Sequence, residues 1–249
     1  MEHPLFILRK EVFGGTLYNK KQLRHTFLSN ADLENLISEN ADFEEWTADL
    51  TNAPNSIVYS PIRIYYELTK KCNLHCRTCF NSSACRDTNE QTTEEVFHSL
   101  EGLRKDNVID IRFTGGEITQ REGWEELIAY AVKLGQVVSV NTNGVYDNDS
   151  IIDRLVKLNL AQITISVDGT QKYNDYIRGK GAFNRAEETL RTLKENGVPL
   201  RTIPIKMVGG SIDALSKIIL LKAVPNYWTA LFFKFEECTT SSLKIFPAL

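Results

Sequence analysis

From Ile57 onward this 249-residue chain alternates strand-like and helix-like segments with short connections, and that alternation most constrains its fold. IRIYYEL (Ile62 to Leu68) alternates as a strand. Thr92 or Thr93 opens a helix through Val96, Leu100 and Leu103, with Glu94 and Glu95 suited to its positive end. The strands VIDIRF, QVVSVN and AQITISVD follow, separated by helices around Trp124 to Leu134 and Ile151 to Leu158. A helix from about Asn184 to Glu195 then leads through Asn196-Gly197 to the strand PLRTIPIKMV. A repeated β-α unit implies parallel strands joined by right-handed crossovers and covered by helices. The fold class is therefore α/β. An open or closed βα-barrel fits, and in both the chemistry gathers at the C-terminal ends of the strands.

Directly after the first of these strands comes KKCNLHCRTCF, with Cys72, Cys76 and Cys79 at one irregular spacing. A [4Fe-4S] cube is normally held by four thiolates, so three from one loop leave an iron open to another ligand. The alternative is a structural zinc completed by Cys85 or His75, giving a zinc-stabilised binding protein. Zinc knuckles usually come as two separated Cys-x-x-Cys pairs, which this chain lacks. Five cysteines with three in one loop do not make a disulfide framework, and a reducing compartment keeps such thiols available.

Polar motifs follow the later strands as well. Thr114-Gly115-Gly116-Glu117 offers close backbone approach beside a carboxylate able to accept from an ammonium group. Asn141-Thr142-Asn143-Gly144 offers amides and a hydroxyl suited to sugar hydroxyls. Ser166, Asp168 and Gly169 end the next strand, and Arg178 follows with a guanidinium able to clamp a carboxylate. Each motif alone also reads as a turn or a solvated charge. Their joint position, on the edge that carries the cysteines, is what points to a site.

These residues resemble the radical S-adenosylmethionine enzymes: CNLHCRTC, FTGGE, NTNG and SVDG match that family's motifs between about Ile62 and Val208. The resemblance implies a partial (β/α)6 TIM-like barrel, here with a small N-terminal α+β appendage. It implies a [4Fe-4S] cluster on Cys72, Cys76 and Cys79, with S-adenosylmethionine at the open iron. By the same resemblance Gly115, Gly116 and Glu117 face the methionine ammonium, Ser166 and Arg178 its carboxylate, and Asn141 or Asn143 the ribose, with Asp168 beside them. The implied reaction is reductive cleavage of the cofactor to a 5′-deoxyadenosyl radical that takes hydrogen from substrate. A one-electron donor such as flavodoxin or ferredoxin is the implied partner. Thr78 stands where an aromatic residue is common in the family, and Ile118 where a proline is; neither departure removes a ligand.

Residues 1–50 read as a strand-strand-helix unit in which Ser29 or Asn30 caps a helix with Leu33, Leu36 and Ile37 on its apolar face. The unit resembles peptide-recognition modules fused to radical enzymes that mature ribosomally made peptides, which makes a precursor peptide or protein the expected substrate. Its alternative role is a structural cap. Thr47 to Ser56 reads as a linker, residues 57–236 as the barrel with a sixth strand near Trp228 to Phe235, and 237–249 as an irregular tail. Only Cys238 lies beyond Cys85, so no auxiliary cluster is expected. Such an ending also suits a truncated, noncatalytic peptide-binding remnant. Net charge of -3 and pI near 5.9 argue against nucleic-acid and anionic-membrane partners. No secretory signal is visible, and the expected location is cytoplasmic.

Overall fold

The computed structural model describes residues 4–39, 41–47, 50–51, 58–83, 90–148 and 150–203. The chain opens with β1 (Phe6–Glu11), β2 (Gly14–Asn19), β3 (Arg24–Ser29), α1 (Asn30–Ser38) and β4 (Phe43–Trp46). These strands form a four-stranded sheet in the order β3-β2-β1-β4, antiparallel except where β4 runs parallel to β1. Strands β3 and β4 go beyond the sequence expectation. All of RHTFLS except Leu28 is exposed, so no burial alternation marks β3. The α1 expectation at Ser29 holds: its side chain accepts from the Asp32 N–H while Asp32 accepts from the Ser29 N–H. Such a cap is worth about 1 kcal/mol. Its apolar face is only partly covered, with Leu33 buried and Ile37 exposed.

The second sheet is parallel throughout, in the order β5 (Arg63–Thr69), β6 (Asp110–Gly115), β7 (Val137–Thr142), β8 (Gln162–Ser166) and β9 (Leu200–Ile203). Its crossovers carry α2 (Thr93–Lys105), α3 (Trp124–Lys133), α4 (Ser150–Lys157), and the pair α5 (Gln171–Arg178) and α6 (Ala182–Glu195). Thr92 caps α2 in a capping box with Glu95. Sequence reading did not mark α5, because its polar run buries only Asn174 and Ile177. The sixth strand near Trp228, the tail and Cys85 lie outside the described residues.

Period-2 alternation separates the two faces of this sheet. Ile111, Phe113, Val138, Val140, Ile163 and Ile165 form one cluster with Leu100, Leu127, Ile128 and Leu193 of the helices. Each such side chain contributes about 1.5–3 kcal/mol on burial. The other face is polar, carrying Arg63, Tyr65, Arg112, Ser139, Gln162 and Thr164. Parallel sheets covered on both faces are ordinarily apolar on both, so this face is the inner wall of the partial barrel.

The N-terminal sheet docks under the barrel, at the end opposite the cysteine loop. Ile7, Tyr18, Leu23 and Trp46 pack with Ile109 and Val137. The Tyr18 hydroxyl donates to Asp110 Oδ2 at 2.6 Å, and Arg63 Nε donates to the same oxygen at 2.5 Å. Arg9 is fully buried and donates to Glu11, Ser60 and the Asn107 carbonyl.

Candidate functional site

The cysteine loop leaves β5 at Thr69 and is fastened on three sides. On the first, the Gly116 and Glu117 N–H groups donate to the Thr69 and Lys71 carbonyls, both at 2.8 Å, and Asn81 Nδ2 donates to the Gly115 carbonyl at 3.1 Å. On the second, Asn73 Nδ2 donates to the Val145 carbonyl at 2.6 Å and Asn73 Oδ1 accepts from Asn143 Nδ2 at 2.8 Å. On the third, the Arg77 N–H donates to the Ile177 carbonyl at 2.9 Å, while its guanidinium stacks 4.6 Å from the Tyr176 ring centroid. The loop after β5 thus touches the ends of β6, β7 and α5.

Glycine is required where the loop meets β6. A Cβ on Gly115 would run into the Thr69 carbonyl oxygen and one on Gly116 into that of Lys71, and Gly115 sits at φ +152. These are backbone atoms that cannot swing aside.

Glu117 is fully buried, and its carboxylate turns toward β7. Oε2 accepts from the Asn143 N–H at 2.8 Å, Oε1 from Thr119 Oγ1 at 3.1 Å, and Thr142 Oγ1 lies 2.9 Å from both oxygens. Burial pushes its carboxyl above the usual range, and these donors oppose that shift. Asn143 is equally engaged, since its Oδ1 accepts from the Val145 N–H at 2.7 Å. Both residues therefore brace neighbouring strand ends. Asn141 and Ser166 lie on the inner face of β7 and β8, and their side chains make no hydrogen bond among the described residues.

Asp168 is buried, and its Oδ2 accepts from Arg178 Nε at 2.7 Å. This pairing leaves the outer nitrogens of Arg178 for another acceptor. Burial raises the Cys76 thiol above its usual value, and the Arg178 charge draws it back, so the cation stands close to the cysteine loop. Thr170 caps neither end by a side-chain bond, but α5 is held at its far end by the Gly179 N–H on the Asp175 carbonyl.

Cys72, Cys76 and Cys79 are all free thiols, the first two half-buried and the last exposed. Burial pushes the Cys72 thiol up, and the Leu74 N–H opposes this by donating to its sulfur at 3.4 Å. The Ser83 N–H donates to Cys79 Sγ at 3.2 Å. Among the described residues no three His, Cys, Asp or Glu side chains gather closely enough to hold one metal ion. Three free thiols on one glycine-braced loop, two of them receiving N–H donors, fit the cluster.

Several participants were missed by motif reading. Asn73 and Asn81 act only through contacts between loops, which spacing does not reveal, and Thr119 acts through Glu117, two residues before it. Arg112 and Tyr65 on the inner wall had a visible signal, the polar positions alternating within IRIYYEL and VIDIRF.

The sequence and the fold both have counterparts among known proteins. Residues 66–219 match the family model described as the radical SAM superfamily. The mycofactocin maturase MftC of Mycolicibacterium smegmatis is 32% identical over 165 residues, which are 66% of this chain and 42% of that protein. The sporulation killing factor maturation protein SkfB of Bacillus subtilis is 31% identical over 198 residues, 77% of this chain and 48% of that protein. The crystal structure of Streptococcus suis SuiB bound to S-adenosylmethionine superposes with a TM-score of 0.72 at 18% identity, covering 88% of this chain and 60% of that one. That likeness concerns the fold and bears out the α/β partial barrel. This chain spans about half the length of the curated relatives it matches. No helix among the described residues is long and apolar enough to cross a membrane.

Proposed function

The chain belongs to the radical SAM superfamily, and from that premise we propose that it binds a [4Fe-4S] cluster and S-adenosylmethionine to remove hydrogen from a peptide or protein substrate. Cys72, Cys76 and Cys79 would hold three irons, leaving the fourth for the cofactor. The Gly115-Gly116 main chain, where Asn81 also donates to the Gly115 carbonyl, would take the methionine ammonium. Arg178, aimed by Asp168, and Ser166 would take its carboxylate, while Asn141 is the free amide for the ribose. When bound, the cluster and cofactor supply one-electron cleavage to a 5′-deoxyadenosyl radical, with the electron from a donor such as flavodoxin or ferredoxin. Orientation and exclusion of water are the tasks of the protein.

The observation that carries this proposal is the joining of the cysteine loop to Gly116-Glu117 on one side and to the Ile177 carbonyl, next to Arg178, on the other. A metal loop with only a structural role has no need of an anion clamp and an open amide around it.

Two observations support a peptide substrate. The relatives MftC and SkfB are named as maturation proteins, and SuiB has been crystallised with its precursor peptide SuiA. In this chain β3 is an edge strand of the N-terminal sheet, with Phe27 51% exposed on it. An extended leader peptide adding there as a further strand would gain main-chain hydrogen bonds.

The test is anaerobic reconstitution with iron and sulfide, followed by an assay for 5′-deoxyadenosine. A brown protein that cleaves S-adenosylmethionine is expected. Brown without cleavage points to a noncatalytic binding protein, and a colourless protein with one tight zinc overturns the cluster.

A further inference from the structure

On the inner face of the barrel, Tyr65, Arg112, Ser139 and Gln162 stand in register on four adjacent strands. Thr164 is paired with Arg201 in the next row. Arg112 is only 4% exposed. Its nearest acid is Asp110 Oδ1, 3.7 Å from Nε and beyond hydrogen-bond reach, while Oδ2 of that carboxylate is occupied by Tyr18 and Arg63. Arg112 Nε, Ser139 Oγ and Thr164 Oγ1, together with the acceptors Asp110 Oδ1 and Gln162 Oε1, are all buried without a hydrogen-bond partner among the described residues.

Leaving such atoms unpaired is costly, and native folds leave few of them. Here they share one wall. The face is also rich in positive charge: Arg63 and Arg112 both pair with the Asp110 carboxylate, and Arg201 stands close enough to feel both guanidinium groups. Burial, and after it the like charge of Arg112, lowers the Arg201 guanidinium from its usual value. A positive wall with free donors on a hydroxyl, a second hydroxyl and a guanidinium is matched by a small planar anion.

We infer that Arg112 and Arg201 form a subsite that grips a carboxylate of the substrate, either an acidic side chain or a peptide C-terminus. The guanidinium fork pairs with a carboxylate through two parallel hydrogen bonds, and the Ser139 and Thr164 hydroxyls complete the cradle. Arg112 lies three positions before Gly115 on β6, roughly 10 Å below the cofactor end of the strand. An anion held there leaves the rest of the substrate directed at the strand ends, where its hydrogen is to be removed. The subsite rests on the proposed reaction for the identity of its ligand.

Calorimetric titration of the full chain with three small probes tests it. N-acetylglutamic acid α-amide carries only the side-chain carboxylate, N-acetylglutamine only the terminal one, and N-acetylglutamine amide none. At least one of the acids is expected to bind about tenfold more tightly than the amide, and which one binds identifies the source of the carboxylate. Arg112→Gln and Arg201→Gln should each remove that preference, and Arg112→Lys should restore part of it, because an ammonium is a point charge without the fork. Circular dichroism checks that Arg112→Gln is folded; Arg201 is half-buried, so its variant keeps the test decisive if the other does not fold. Equal binding of all three probes, binding of none, or an unchanged preference in Arg201→Gln overturns the subsite. Formation of 5′-deoxyadenosine by the unsubstituted chain tests the reaction separately, so either reading can fail alone.

Discussion

Thr142 Oγ1 lies 2.9 Å from both oxygens of the Glu117 carboxylate, deep between the ends of β6 and β7. The loop that would carry the ammonium contact is thereby fixed by a buried group two residues along. Thr142→Val keeps the shape and removes the donor, leaving a buried carboxyl under-satisfied. The expected loss is about 2 kcal/mol in urea unfolding, together with weaker retention of S-adenosylmethionine. Unchanged stability would mean that Asn143 and Thr119 suffice.

Cys76→Ala should abolish the brown colour and 5′-deoxyadenosine formation, since a cluster cannot form stably on two thiolates from this loop. Cys85→Ala should retain both. Iron analysis after anaerobic reconstitution decides, and loss of iron from the second variant would redirect the ligand assignment.

The Asp168–Arg178 ion pair is buried on the Asp168 side, at 2.7 Å. Asp168→Asn should leave Arg178 in place but less firmly aimed. Weakening of S-adenosylmethionine binding by about tenfold is expected, as for a lost charge-assisted contact, with the cluster content unaltered. Equilibrium dialysis on the reconstituted protein measures it.

Tyr18 gives a pH signature at the joint between the two sheets. Burial, reinforced by the Asp110 charge, raises its phenol above the ordinary value of 10.0. The folded protein therefore holds a proton that the unfolded chain releases, so the stability from this group is complete below pH 10 and falls as pH rises beyond it. Urea midpoints measured upward from pH 9 should decline more steeply for the natural chain than for Tyr18→Phe. At neutral pH the substitution should cost about 2 kcal/mol, the worth of a hydrogen bond to a charged group. Parallel slopes would rule out the linkage.

Motifs confined to one loop were legible because their chemistry needs only neighbours in sequence. The cysteine spacing, the Gly115-Gly116 pair and the capping residues Ser29 and Thr92 are of this kind. Features decided by partners from elsewhere were not. Glu117 and Asn143 look like exposed ligands in sequence, yet Thr142, Thr119 and Asn73 draw their side chains inward. Helix α5 is too polar to announce itself, and β4 is four residues long and exists through its pairing with β1. Burial and register, which arise only after folding, made these assignments.

The bolt formed by Tyr18, Asp110 and Arg63 bears on how such proteins are assembled from parts. A small sheet attached by a loose tether can be transplanted as a cassette. This one is keyed into the base of its neighbour through Asp110 and through the apolar Ile109 and Val137. Removing the first fifty residues would strip the cover from that apolar surface, and a chimera with a foreign sheet would have to carry matching residues at all three positions. The two halves are thus bound to change together, with drift in one constraining what the other can become.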